Sequence, residues 1–378
     1  MKLCEKEKCT GCRACENSCP KDAIKMVFTD ELKTVPHIDS SKCAECGLCK
    51  KSCPVLNESK FVEPISCLAA WTLDSHDKET CASGGIATAL YRSVLKHGGV
   101  VYGCDYDNEL KPIIRRSENV NDLEKFKTSK YVQSSTERTY IEVKKDLTSG
   151  CTVLYVGTPC QIDGLNHFLN KKYENLFTVD IICHGVSPYR YLQDYILSLG
   201  LKKNVTYATF RGKNDYCLSL YEKNDLFWVR ASEDDYYLNS FLKGITFRDN
   251  CYNCRYAGKE RISDLTIGDF WGINRKKLKK AYDGKVSVIL VNSEAGRKLL
   301  DMSEDMLYTE ERLLDEALRY NEQLNHPMAV HSDRCAFLKN LNKGVYRALK
   351  STKTGRMISK RRIKNALKRV ILYKNIAR

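Results

Sequence analysis

Two stretches near the N-terminus, CTGCRACENSCP from Cys9 to Pro20 and CAECGLCKKSCP from Cys43 to Pro54, share the spacing C-x2-C-x2-C-x3-C-P. Three thiolates in so short a loop can wrap one 4Fe–4S cube. The fourth, on a departing segment, ligates the other cube, which is the bacterial ferredoxin arrangement. The spacing therefore assigns Cys9, Cys12, Cys15 and Cys53 to one cluster and Cys43, Cys46, Cys49 and Cys19 to the other. Pro20 and Pro54 turn the chain after the fourth ligand and prevent a helix from continuing. Disulfides fit poorly: no secretory leader is recognisable, and many free thiols belong in a reducing cytoplasm. Structural zinc usually takes two C-x2-C pairs rather than three cysteines plus one. The expected chemistry is one-electron transfer, and the intervening AIKMVF and TVPHID are predicted as short strands.

Three later loops carry cysteine in glycine-rich contexts: VGTPCQ with Cys160, ICHGV with Cys183, and RDNCYNCRYAG with Cys251 and Cys254. The first two follow apolar strands, and ligands collect at strand C-termini in α/β sheets. One C-x2-C and two single cysteines make a four-thiolate set that suits a third cluster or zinc, while buried cysteine also serves as a plain hydrophobe. Cys4, Cys67, Cys81, Cys104, Cys151, Cys217 and Cys335 have no such context and read as core residues. ASGG at 82–85 opens a predicted helix whose amide end could meet a phosphate or a carbonyl oxygen. Lys130 in KTSKYVQSS is a possible anion partner, or part of a solvated loop. No GxGxxG fingerprint follows the first strand of the body, so an ordinary dinucleotide site has no support. His184 is a proton donor or a packing residue.

The elements that must position these groups are legible in outline. The 378 residues allow two or three domains. We expect a ferredoxin-like α+β domain over 1–58, a body in two parts over 66–150 and 151–335, and a tail over 339–378. CLAAWTL, VVYGCDYD, TVLYVG, TVDIIC, VTYATF, DLTIGDF and VSVILV read as strands. A helix is predicted from ASGG to Gly98–Gly99, with Ser83 as its N-cap and Ile86, Ala89, Leu90 and Val94 as its apolar stripe. A second begins at NSEAGRKLLD. Strands alternating with helices predict an α/β body with a mixed sheet.

The formal charge of +15 is concentrated in the tail: from Lys339 onward there are 14 Lys and Arg and no Asp or Glu. The body is therefore nearly neutral, which gives no support to nucleic-acid binding. Ile363, Leu367, Val370 and Ile371 share one helical face, so the tail is expected to be a basic helix. It is either solvated or attached peripherally to an anionic membrane surface at the inner face, or to an acidic partner. No apolar run has membrane-spanning length.

Taken in order, ASGGIATAL, TSKYVQS, VGTPCQIDGL, ICHGVSP, TFRGK and CYNCRYAGKERISDLTIGDFWG resemble the β subunit of the hydrogenases and dehydrogenases that use 8-hydroxy-5-deazaflavin (coenzyme F-420), over about residues 1–300. The resemblance implies an FAD on the α/β body and a third 4Fe–4S cluster held by Cys160, Cys183, Cys251 and Cys254. It implies flavin contacts from Ser83, Gly84, Gly85, Thr88, Ser129, Lys130 and Tyr131, with Gly157, Thr158 and Asp269 as further contacts. Arg211 and Lys213 either meet an anionic substrate or structure a turn. The implied activity is that of an iron–sulfur flavoprotein oxidoreductase. An electron-donating or -accepting protein serves the clusters, and an organic molecule exchanges hydride at the flavin. The alternative is a non-catalytic relay subunit of a larger redox complex. No catalytic side chain is assigned.

Overall fold

The computed structural model describes residues 3–212 and 215–376, with side chains of the last helix described as far as Lys368. Lys213 and the side chains of Val370 and Ile371 lie outside the described residues. The N-terminal segment forms a hairpin, β1 (Ile24–Phe28) with β2 (Thr34–Ile38), in antiparallel register from Ile24 opposite Ile38. Ile24, Ile38, Leu3 and Cys15 make its small core. So few apolar side chains cannot hold a domain of this size unaided.

The body is a mixed eight-stranded sheet in an α/β fold. Its strands are β3 (Ser66–Thr72), β4 (Val100–Tyr106), β5 (Pro112–Ser117), β6 (Val153–Gly157), β7 (Leu176–Ile181), β11 (Leu265–Asp269), β12 (Ser287–Val291) and β13 (Leu307–Arg312), in the order β13-β3-β12-β11-β7-β6-β4-β5. β4, β6, β7 and β11 run parallel, and β3, antiparallel to β12, points the same way. The β-branched, aromatic and Leu-rich runs form central strands because both of their faces are covered. Leu154 and Val156 face the helices 86–96 and 294–301, whereas Val153 and Tyr155 face the helices 139–148 and 159–169.

VTYATF does not continue this sheet. β8 (Tyr207–Thr209) pairs with β9 (Cys217–Glu222), and β9 with β10 (Asp225–Ala231), as a separate three-stranded sheet. A strand period identifies a strand but not its neighbours.

The predicted helix begins at Ile86, and its cap is Gly85 in the left-handed region (φ +80°), not Ser83. Ser83 instead bonds the Ser287 hydroxyl at 2.8 Å. The C-terminal stop falls where expected, with Gly98 at φ +73°. The separate tail expected from Lys339 is in its first half part of the fold. Val345, Ala348, Leu349 and Ile358 are buried against the helices 189–198 and 236–242 and the small sheet. The helix Lys353–Ile376 still meets the body at Arg362, which lies over the Tyr236 ring, while Ile363 and Leu367 are exposed. Among the described residues no helix is long and apolar enough to cross a membrane.

Candidate functional site

The two ferredoxin loops close into two thiol groups. Cys12 and Cys15 lie within electrostatic reach of Cys9 and Cys53, and these four are buried. Cys49 has Cys19 and Cys46 within reach. Cys19, Cys43, Cys46 and Cys49 line one pocket together, open to solvent at Cys46. The first set is therefore proximal to the body and the second distal. Sequence reasoning missed Cys4. Its thiol hydrogen-bonds Cys53 and Cys9, which raises its own pKa and lowers theirs. Its place five residues before Cys9 was the only available signal.

The third set assembles from three separate parts of the sheet edge. Cys160 stands at the start of the helix 159–169, after β6, where Thr158 and Gln161 complete a capping box. Cys183 follows β7, and Cys251 and Cys254 lie in the segment before β11. All four are within electrostatic reach of one another. Arg261 binds two of these loops together. Its guanidinium donates to Tyr256 O and Gly258 O beside Cys254, and to Asp180 Oδ1 at 3.0 Å near Cys183. Gly185 (φ +124°) admits the Phe247 ring at a point where a Cβ would come within 2.4 Å of it. Burial, aided by the neighbouring thiols, pushes Cys160 well up, Cys183 to about 12 and Cys251 to about 11. Four thiolates can share this buried space only around a cationic core. A lone zinc with bonds of about 2.3 Å would draw its sulfurs to within about 4 Å of one another. Among the described residues no group of His, Cys, Asp or Glu closes to the spacing of a single metal ion. Four thiolates from such separate segments suit either a cluster or zinc.

The proximal loop is fastened to this third set. Arg248, three residues before Cys251 and 1% exposed, donates to Cys9 O at 2.9 Å, Thr34 O at 3.1 Å and Gln133 Oε1 at 3.1 Å. Arg255 donates to Pro54 O at 2.9 Å, next to Cys53. Thr136 donates to Cys12 O. A Cβ on Gly164, one turn beyond Cys160, would meet Cys12 Cβ and Sγ at 2.9 Å. A glycine inside a helical run flags a close approach, but not which residue makes it.

The residues expected at a flavin divide into two groups. Ser83 and Gly84 meet Ser287 at the sheet edge, where the Gly84 amide donates to Ser287 Oγ at 2.9 Å. Lys285 reaches the same place and donates to Cys81 O; burial lowers its pKa. Asp269, at the end of β11, pairs with Arg211 at 2.8 Å. Arg211 also donates to Tyr131 Oη at 3.3 Å and lies over the Tyr216 and Trp271 rings. His184, beside Cys183, is exposed. Desolvation lowers its pKa, with Asp269 and Arg211 both within electrostatic reach. Tyr216, Trp271, Lys285 and Ser287 carried no sequence signal as a site.

The structure places the other expected contacts as follows. Lys130 gives its ammonium to three carbonyls, Cys104 O, Lys125 O and Lys127 O, so the structure makes it an anchor of its loop. Ser129 is exposed. Gly85 packs on Thr72, and Thr88 lies 3.5 Å from the Cys81 thiol. Gly157 abuts Gln161, and the Thr158 hydroxyl lies 3.2 Å from Cys160 Sγ.

Residues 151–317 match the family described as the C terminus of the coenzyme F420 hydrogenase/dehydrogenase beta subunit. Residues 8–57 match the 4Fe-4S dicluster domain. No curated protein matches the chain. Among solved structures, it is similar to a chain in a xenon-derivatised F420-reducing NiFe hydrogenase complex from Methanosarcina barkeri. The identity is 17% and the TM-score 0.46, over 66% of this chain and 82% of that one.

Proposed function

Since residues 151–317 belong to the β-subunit family of the coenzyme F420 hydrogenases and dehydrogenases, behind a 4Fe-4S dicluster domain, we propose that this chain is an iron–sulfur flavoprotein oxidoreductase. The distal and proximal thiol sets, and a third at Cys160, Cys183, Cys251 and Cys254, would each hold a 4Fe–4S cluster that carries single electrons. The residues around Asp269 would hold an FAD, which would exchange electrons with the third set. The observation that carries this reading is the fastening of the proximal loop to the third thiol set through Arg248, Arg255 and the Cys12–Gly164 approach. A relay needs its carriers close and immobile relative to one another.

The groups around Asp269 suit FAD chemically. Arg211 and Lys285 supply positive charge for a diphosphate, the Gly84 amide and Ser83 lie beside them, and the half-open Trp271 ring offers a face to a planar heterocycle. Bound there, a flavin would convert one-electron transfer into hydride exchange. The chain's own part is to hold Arg211 in place by its pair with Asp269 and to keep the proximal thiol set away from solvent. An organic hydride partner, the deazaflavin or another acceptor, completes the reaction. The basic helix beyond Ser359 is proposed as a peripheral attachment to an anionic membrane face. Binding to anionic vesicles that is lost at high salt supports this, and equal binding to neutral ones overturns it.

Anaerobic purification with iron, zinc and flavin measured on one sample tests the central reading. Roughly 12 Fe with stoichiometric FAD supports it, and about 8 Fe with one zinc refutes the third cluster. FAD that an artificial donor reduces and a small molecule reoxidises distinguishes an enzyme from a relay subunit.

A further inference from the structure

The two ferredoxin thiol sets differ in what a partner protein could reach. The proximal ligands Cys9, Cys12, Cys15 and Cys53 are buried beneath the body's residues 133–136 and 248–255. The distal pocket opens to solvent through Cys46, and its rim carries Lys21, Lys50 and Glu45. Lys51 follows Lys50 on the same short helix, Leu48–Lys51, whose first residue is an exposed leucine.

The charges at this mouth are unevenly paired. Lys42 has Asp39 at 3.7 Å, and Asp22 is taken by Arg138 at 2.7 Å. Among the described residues Lys21, Lys50 and Lys51 have no carboxylate partner. They stand against a single unpaired carboxylate at the rim, Glu45. Exposed lysines around a small apolar spot beside a redox centre favour a partner of opposite charge. Such a field accelerates encounter and orients it without demanding high affinity. Transient redox complexes are of this small, polar type.

We propose that the Lys21–Lys50–Lys51 face is the docking surface for a small acidic electron-transfer protein, which exchanges single electrons with the distal cluster. Leu48 is the apolar contact at its centre. One electron leaves the partner's reduced centre and one arrives at the distal cluster, with no bond made or broken. The proposal rests on the reading of the ferredoxin domain as the terminal of the electron path, but not on the third cluster or the flavin.

The test is stopped-flow reduction of the anaerobic full-length protein, followed by bleaching of cluster absorbance. The donors are a reduced acidic ferredoxin and, separately, dithionite. In K21E/K50E/K51E the rate constant with the ferredoxin is expected to fall about tenfold or more at low salt, with the gap closing as ionic strength rises. Dithionite should still reduce the variant fully, and its iron content should equal that of the parent. An unchanged ferredoxin rate, or a loss that salt does not narrow, overturns the docking surface. Clusters that neither donor reduces in the parent protein would refute the electron-terminal reading instead. Should the triple variant lose iron, L48E and K50E alone provide the same comparison.

Discussion

Cys12 occupies the space where a side chain on Gly164 would be: a Cβ there would lie 2.9 Å from the cysteine's Cβ and Sγ, and 3.0 Å from Tyr140 Oη. One helix, 159–169, thus bears Cys160 at its start and receives the proximal cluster loop one turn later. G164A adds helix propensity worth about 1 kcal/mol but overpacks this contact by about 1–3 kcal/mol. A net loss of stability is expected in thermal unfolding, with early loss of proximal-cluster iron. An unchanged melting curve would show that the contact yields freely.

Arg248 joins the ferredoxin segment to the segment that bears Cys251. R248Q removes a buried cation that donates to two carbonyls of the ferredoxin loop, and is expected to cost about 2–4 kcal/mol. Removing positive charge near Cys9 also disfavours the reduced cluster, so the proximal potential should fall, on the order of tens of mV. Redox titration followed by electron paramagnetic resonance measures it.

C160S should separate the third thiol set from the other two. Iron is expected to drop from roughly 12 to about 8 per chain while the ferredoxin signals persist. A fall to near zero would instead mean that the thiol set is needed for folding.

Lys130 offers a contrast between anchor and ligand. K130M is expected to cost about 1–3 kcal/mol through three unsatisfied carbonyls, and to leave flavin affinity within about twofold. Isothermal titration with FAD beside a denaturant melt distinguishes the two roles.

Asp235 caps the helix Tyr236–Leu242 and accepts from Tyr195 Oη at 2.6 Å in full burial. Burial raises its pKa from 3.8 to about 6. A raised acid binds its proton more tightly when folded. Its contribution is therefore complete below about pH 3.8 and is lost as pH rises through about 6, on the order of 2–3 kcal/mol. D235N should flatten this slope in denaturant unfolding between pH 4 and 6.5. A parallel slope in both proteins would refute the assignment.

The cluster loops were legible because their chemistry is local: eight cysteines at fixed short spacings leave few uses. The strands of the large sheet were legible for a similar reason, since buried runs such as Val153–Gly157 need nothing beyond their own composition to be recognised. The motifs also marked Cys160, Cys183, Cys251 and Cys254, though nothing in their spacing says whether such distant residues meet. That is decided by the packing of β6, β7 and the segment before β11, with Arg261 tying the last two together. The tail's charge was plain in its composition, but Val345 and Leu349 became core only because the small sheet and the helices 189–198 and 236–242 present an apolar face. Lys130 looked like a ligand because a lysine's partners depend on which carbonyls the fold brings near. The sequence alone determined which groups can carry electrons. The tertiary structure decided which of them are neighbours and which one faces solvent, because both depend on contacts between residues far apart in the sequence.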